Sequence, residues 1–229
     1  MKLFFLAFFS CLIKVAAYGQ KARPDTTFIF RQAGDYYHAI FIDDKNSDYY
    51  NKIVDHPYND VDSLSFKENM IQLKKRYSGS FPRYNLENIH KKWVPIYLYK
   101  GNYFVYAPSE WGFNTWVEIN DSFFIKYSFD DAAVPAIIQS LKKKNNKVTI
   151  DVVKPTLEKS TVKITIIDKK NQIAVFEYSD LTHPYRYRLM VSADNVRNFP
   201  IIVNYCEVQK QKELQFDTVN YNKLLKIKN

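Results

Sequence analysis

"KVTIDVVKPTLEKSTVKITIIDKKNQIAVFEYS", residues 147–179, decides the fold class. Three runs in it, 147–153, 161–168 and 173–179, place β-branched and aromatic residues at alternate positions, separated by short polar stretches. That period of two belongs to strands. Gaps this short join antiparallel neighbours, because a parallel crossover needs a dozen or more residues. The pattern continues outward in both directions. Upstream lie "WVPIYLY" (93–99), "YFVYA" (103–107), "TWVEI" (115–119) and "SFFIKYSF" (122–129). Downstream lie "YRYRLMVS" (185–192) and "FPIIVNYCEV" (199–208). Between the two series, "DDAAVPAIIQSL" (130–141) reads as a short helical piece, with Asp130 or Asp131 as its cap.

The N-terminal part carries two short strands, 27–31 and 38–43, and one helix over 65–77. Ser65 and Glu68 form a capping box, and Phe66, Met70, Leu73 and Tyr77 recur at helical spacing. The expected fold is therefore mainly β (α+β): an antiparallel β-meander in a barrel or sandwich, with that helix packed on it. A lipocalin-like barrel is the architecture this suggests, and such an analogy carries no function by itself.

The first nineteen residues read as a signal peptide. Lys2 precedes an apolar run from Leu3 to Ile13, and small residues follow at Ala16, Ala17 and Gly19. A lipoprotein signal at Cys11 is the disfavoured rival, because bulky Phe8 and Phe9 stand where small residues are preferred. The expectation is an exported protein, periplasmic or extracellular, with residues 20–229 as a single β-rich domain and a basic tail over 209–229. No later stretch approaches the ~20 apolar residues of a membrane helix. Lysines on several strands argue against an outer-membrane barrel.

Losing Lys2 and Lys14 lowers the formal charge from +9 to +7. The positive residues are scattered in short runs, "LKKR" (73–76), "HKK" (90–92) and "LKKKNNK" (141–147), which read as solvated surface rather than a nucleic-acid footprint. Gly34, Gly79, Gly101 and Gly112 are too dispersed for a dinucleotide or phosphate loop. Cys206 is left alone, which excludes an internal disulfide, and its apolar neighbours suggest a buried thiol. His38, His56, His90 and His183 lack zinc spacing, and "DHPYNDVDS" (55–63) lacks the glycine and distal glutamate of a calcium loop. Neither a cofactor, a metal nor a local catalytic motif is expected.

The aromatic excess points instead to binding. With Gly101-Asn102 as a type II′ turn, Tyr97 faces Tyr106 and Tyr99 faces Phe104, giving one aromatic face. With Asn120-Asp121 as a type I′ turn, Trp116 faces Ile125 and Glu118 faces Phe123, which reads as core. Trp111, in "PSEWGF", has no periodic reason to be there, and an indole can stack on a ligand while its N–H bonds it. Trp111, Glu110, Tyr97 and Tyr106 are thus the candidate ligand-binding residues, for a small apolar molecule or a glycan. Arg186 and Arg188 could bind an anion, though a solvent-facing row is the plainer reading. The alternatives are a hydrolase using carboxylates such as Glu110, Glu118, Asp130 or Asp131, and a structural module whose aromatic face meets a protein.

Overall fold

In the computed structural model the described residues are 26–55, 60–77, 80–87, 89–109, 115–128, 132–208 and 212–226, with backbone alone at 60–62, 128 and 132. Eight strands close into a barrel: β3 (Lys92–Pro95), β6 (Trp116–Ile119), β7 (Phe123–Ser128), β8 (Ala132–Lys144), β9 (Lys147–Val153), β10 (Lys159–Asp168), β11 (Ile173–Tyr178) and β12 (Tyr187–Ser192). From β6 to β12 they follow chain order, apart from the closing strand. Closure comes from β3, which pairs with β6 on one side and β12 on the other (Trp93↔Val117 and Val191↔Val94). Every pairing in the barrel is antiparallel.

Alternation sorts the wall into two sets of side chains. Trp93, Ile119, Phe124, Ile138, Ile150, Val162, Ile164, Phe176 and Met190 belong to one buried cluster that fills the barrel. Their sequence neighbours Val94, Ile125, Tyr127, Val175, Leu189 and Val191 belong to a second cluster on the outside. An outward apolar set must also leave water, and a second layer covers it. That layer is a five-stranded sheet in the order β1 (Thr27–Gln32), β2 (His38–Asp43), β13 (Ile201–Cys206), β5 (Asn102–Ala107), β4 (Tyr97–Tyr99). Helix α1 (Tyr49–Val54) contributes Tyr50 and Ile53 to the outer cluster. Helix α2 (Asp60–Arg76) lies on β8, with Leu73 fully buried. A short helix α3 (Tyr221–Lys226) lies near β10.

Four local expectations change. Residues 132–141 are not helical: from Ala132 onward the chain belongs to the thirteen-residue strand β8. Alanine favours helix, but Val134, Ile137 and Ile138 suit a strand, and β7 and β9 supply partners on both sides. No helix therefore starts there to be capped, and Asp130 and Asp131 lie outside the described residues. Helix α2 starts at Asp60, so Ser65 sits within it rather than at its cap. "WVPIYLY" is two strands in two sheets, with Ile96 between them. One pairing, β13 with β5, is parallel (Ile201↔Val105). It escapes the short-gap argument because the connection between the two strands contains most of the barrel.

Both hairpin registers shift by two residues. Lys100 and Gly101, not Gly101 and Asn102, form the first turn, and both have positive φ (49° and 77°), as a type I′ turn requires. Tyr97 then faces Phe104, and Tyr99 faces Asn102. A shift of two preserves the face, so Tyr97, Tyr99, Phe104 and Tyr106 still cluster together. In the second hairpin Asn120 Oδ1 accepts from the amides of Ser122 and Phe123, which lengthens the turn. Trp116 consequently pairs with Tyr127 and stacks on it at 4.4 Å, while Glu118 pairs with Ile125. Trp116 is core, 6% exposed.

Two tyrosines couple this packing to pH. Burial pushes the hydroxyls of Tyr49 and Tyr50 up to about 12, with Tyr205 and Asp43 adding to the first. For Tyr50, Arg197 opposes the burial effect, and Asp43 and Asp44 add to it. Tyr50 is fully buried and donates to the Phe199 carbonyl at 2.6 Å. Unfolded tyrosine titrates near ~10, so the folded state binds more protons between these values. Their stabilisation is complete below pH ~10 and disappears as pH rises through about 12. Urea midpoints should fall over that window, and Tyr50→Phe should flatten the fall while costing about 1 kcal/mol at neutral pH. A pH dependence identical in the variant would contradict the assignment.

Candidate functional site

The barrel has two ends of different character. One is formed by the turns β8–β9 and β10–β11, the start of β3, and the segment 84–90 that precedes it. Here the inward apolar residues nearest the turns of three strands, Leu141, Val148 and Ile166, rise above the packed interior with Ile164. Below them Trp93 and Phe176 meet edge to face at 5.4 Å and close the floor. A half-open cavity of about 790 Å³ remains.

Residues 84–87 and 89–90 hold one side of this mouth. The Tyr84 amide donates to the Asp121 carbonyl at 2.7 Å, and its hydroxyl donates to the Gln139 carbonyl. Lys143 Nζ donates to the Glu87 carbonyl. Tyr84, Leu86 and Ile89 pack against the interior cluster, so the segment is a strap with an apolar underside. Trp93 Nε1 donates to the His90 carbonyl at 2.9 Å, and the His90 ring meets the indole edge to face at 5.7 Å. His90 Nδ1 lies 3.3 Å from Asp194 Oδ2.

The rim is polar. Asn145 takes φ 56° in the β8–β9 turn, and Asn146 Nδ2 donates to the Ile166 carbonyl at 2.9 Å, tying two turns together. Gln172 Nε2 donates to the Lys169 carbonyl at 2.6 Å. Lys143, Lys147 and Lys169 stand on the rim with one carboxylate, Glu87. Among the described lining residues there is thus one acid and one imidazole, His90, and no serine, threonine or cysteine for them to activate.

The opposite end is narrow among the described residues. Thr115, Trp116, Val117, Lys126, Tyr178, Leu181, Arg188 and Met190 line a crevice of about 10 Å³, too small for a ligand. Arg188 points inward there, and Arg186 instead pairs with Glu177 at 2.5 Å on the surface. The two arginines do not converge.

Glu110 and Trp111 lie outside the described residues; Thr115, at the start of the next described segment, borders this narrow end. Tyr97 and Tyr106 share the face of the five-stranded sheet away from the barrel, with ring centroids 5.7 Å apart. That face is covered by the chain itself: Phe216 stacks on Tyr97 at 4.4 Å and meets Tyr106 edge to face at 4.9 Å. Glu213 anchors the segment. Its carboxylate accepts from the Tyr106 hydroxyl, from Ser109 Oγ at 2.8 Å and from Asn204 Nδ2 at 3.0 Å. Asn204 is buried and meets His38 Nε2 at 2.8 Å. Burial first, and the bond to Glu213 second, hold the Tyr106 hydroxyl well above its usual range.

Of the candidate acids, Glu118 is described, and it accepts from the Tyr127 hydroxyl at 3.2 Å on the outside of the barrel. Beside it, burial draws the Lys92 ammonium below its usual value against the opposing pull of Asp55 and Glu118. Among the described residues no three His, Cys, Asp or Glu side chains gather where a metal ion could sit. No described helix is long and apolar enough to cross a membrane. Cys206 is free and partly exposed. No protein-family model, curated protein or solved structure matches this chain.

Sequence reading missed the mouth because its parts are far apart in the chain. "HKK" and "LKKKNNK" both read as surface, yet His90, Lys143 and Lys147 border one cavity. The available signal was the inward period of β8, β9 and β10, which places an apolar residue close to each polar turn.

The tail contact is testable. Tyr106→Phe removes the hydroxyl that donates to Glu213 and accepts from the Leu214 amide at 3.2 Å. It should cost about 1–3 kcal/mol and speed hydrogen exchange at Leu214. Unchanged exchange at that amide would show that the hydroxyl does not hold the segment.

Proposed function

We propose that this chain is an exported, non-catalytic binding protein that holds a small apolar molecule in the mouth of its barrel. The observation that carries the reading is the half-open cavity of about 790 Å³, with an apolar floor and polar rim. Ligand sites typically have ~300–1,000 Å³, mostly apolar walls and a few polar groups at the edge. Export rests on the Lys2, apolar-run and small-residue pattern of the first nineteen residues.

Binding rather than turnover is supported by the chemistry of the lining. Hydrolysis by carboxylates needs two acids flanking one bond, whereas the mouth contributes Glu87 alone. His90 has a carboxylate neighbour in Asp194, yet among the described lining residues no serine, threonine or cysteine stands there as nucleophile, and the Tyr84 hydroxyl is committed to the Gln139 carbonyl. An apolar ligand is favoured over a glycan because sugar stacking needs an open aromatic face. Trp93 is 1% exposed and its N–H is already committed to His90.

Titration with the neutral fluorophore 1-aminoanthracene tests this reading. The native chain should enhance its emission saturably, and Val148→Trp, which fills the mouth, should weaken binding at least about tenfold with circular dichroism unchanged. Trp111→Ala serves as the contrasting variant. Loss of binding in Trp111→Ala with full binding in Val148→Trp would move the site away from the mouth and sink the proposal.

A further inference from the structure

The charge on the rim narrows the ligand further, on the assumption that the mouth is the binding site. Lys143 near the end of β8, Lys147 at the start of β9 and Lys169 in the β10–β11 turn are exposed. The fold gathers them around an opening whose lining contributes a single carboxylate, Glu87. The other potential cation, His90, faces Asp194 at 3.3 Å. The entrance is thus positive, while the walls immediately beneath it, Leu141, Val148, Ile164 and Ile166, are apolar.

We propose that the mouth binds an amphiphilic anion: an unbranched alkyl or acyl chain ending in a carboxylate or a phosphate. The chain lies between Leu141, Val148, Ile164 and Ile166, and the anionic head stays at the wet rim beside the three lysines. This division of labour follows from physical cost. A charge carried into the apolar part of the mouth would lose its hydration, whereas at the rim it keeps water and gains ammonium neighbours. Each methylene transferred from water to the apolar wall strengthens binding about fourfold, so chain length sets affinity. The depth is limited, because Trp93 and Phe176 fill the barrel below. Affinity should therefore stop rising once the chain reaches that floor.

Calorimetric titration of the full chain at pH 8 with dodecanoate, dodecyl phosphate, dodecanol and dodecyltrimethylammonium tests the assignment. At low ionic strength the two anions should bind about tenfold more tightly than dodecanol, and the cation more weakly than dodecanol. The advantage should shrink as salt approaches ~1 M, where screening acts within ~3 Å. Whichever anion binds more tightly identifies the head group, and acetate and inorganic phosphate should bind far more weakly than either. The double variant Lys147→Gln, Lys169→Gln, which leaves the Lys143 bond to the Glu87 carbonyl in place, should keep dodecanol binding and lose most of the preference for anions. Lys74→Gln with Lys75→Gln, exposed on α2, should leave that preference intact. Equal affinities for dodecanol and both anions in the native chain would refute the anionic assignment and leave the apolar mouth standing. So would an anion preference that survives undiminished in the double variant. If neither dodecanol nor either anion binds, the anionic assignment and the mouth reading fall together.

Discussion

The structure depends on one constraint: the barrel wall is apolar on both faces. In β11, Ala174 and Phe176 point into the barrel while Ile173 and Val175 point out, and all four are buried. Removing Phe176 alone would cost about 3–5 kcal/mol, the usual scale for a large buried ring. Closing eight strands satisfies the inward set and every strand edge at once. The outward set must then find a second partner, and the five-stranded sheet and α1 supply it.

That demand shapes the path of the chain. Strand β3 closes the barrel, and after Ile96 the chain passes directly into β4 of the other sheet. The far face of that sheet is apolar too, with Phe104, Tyr106 and Ile202, and the segment around Leu214 and Phe216 is spent covering it. Cover is thus supplied twice, first by a sheet and then by the tail. At the turn end of the barrel the cover among the described residues is the strap of 84–87 and 89–90, and it spans part of the opening. The cavity lies where the cover is incomplete.

Much of this fold was legible in the sequence. The period-two runs located β9, β10, β11, β12 and β13 closely, because alternation and polar turns agree there. Strand β8 was hidden by its alanines, whose local preference lost to pairing with two neighbours. Registers slipped by two where the turn residues were misjudged, as at Lys100-Gly101, but parity survived and so did the aromatic face. Its occupant was not legible. Phe216 and Glu213 sit more than one hundred residues from Tyr106, and nothing local links them. The mouth was hidden for the same reason: its walls come from turns that only barrel closure brings together.

The most direct measurement is a nitrogen-15 amide shift map of the full chain titrated with dodecanol, the neutral probe that reads the cavity apart from its charge. Binding in the mouth predicts saturable shifts at Asn145, Asn146 and Gln172 and at the Trp93 indole N–H, with Leu98, Tyr106 and Leu214 unmoved. Shifts confined to Tyr97, Tyr106 and the 212–217 segment, or none at any of the mouth residues, would contradict the account.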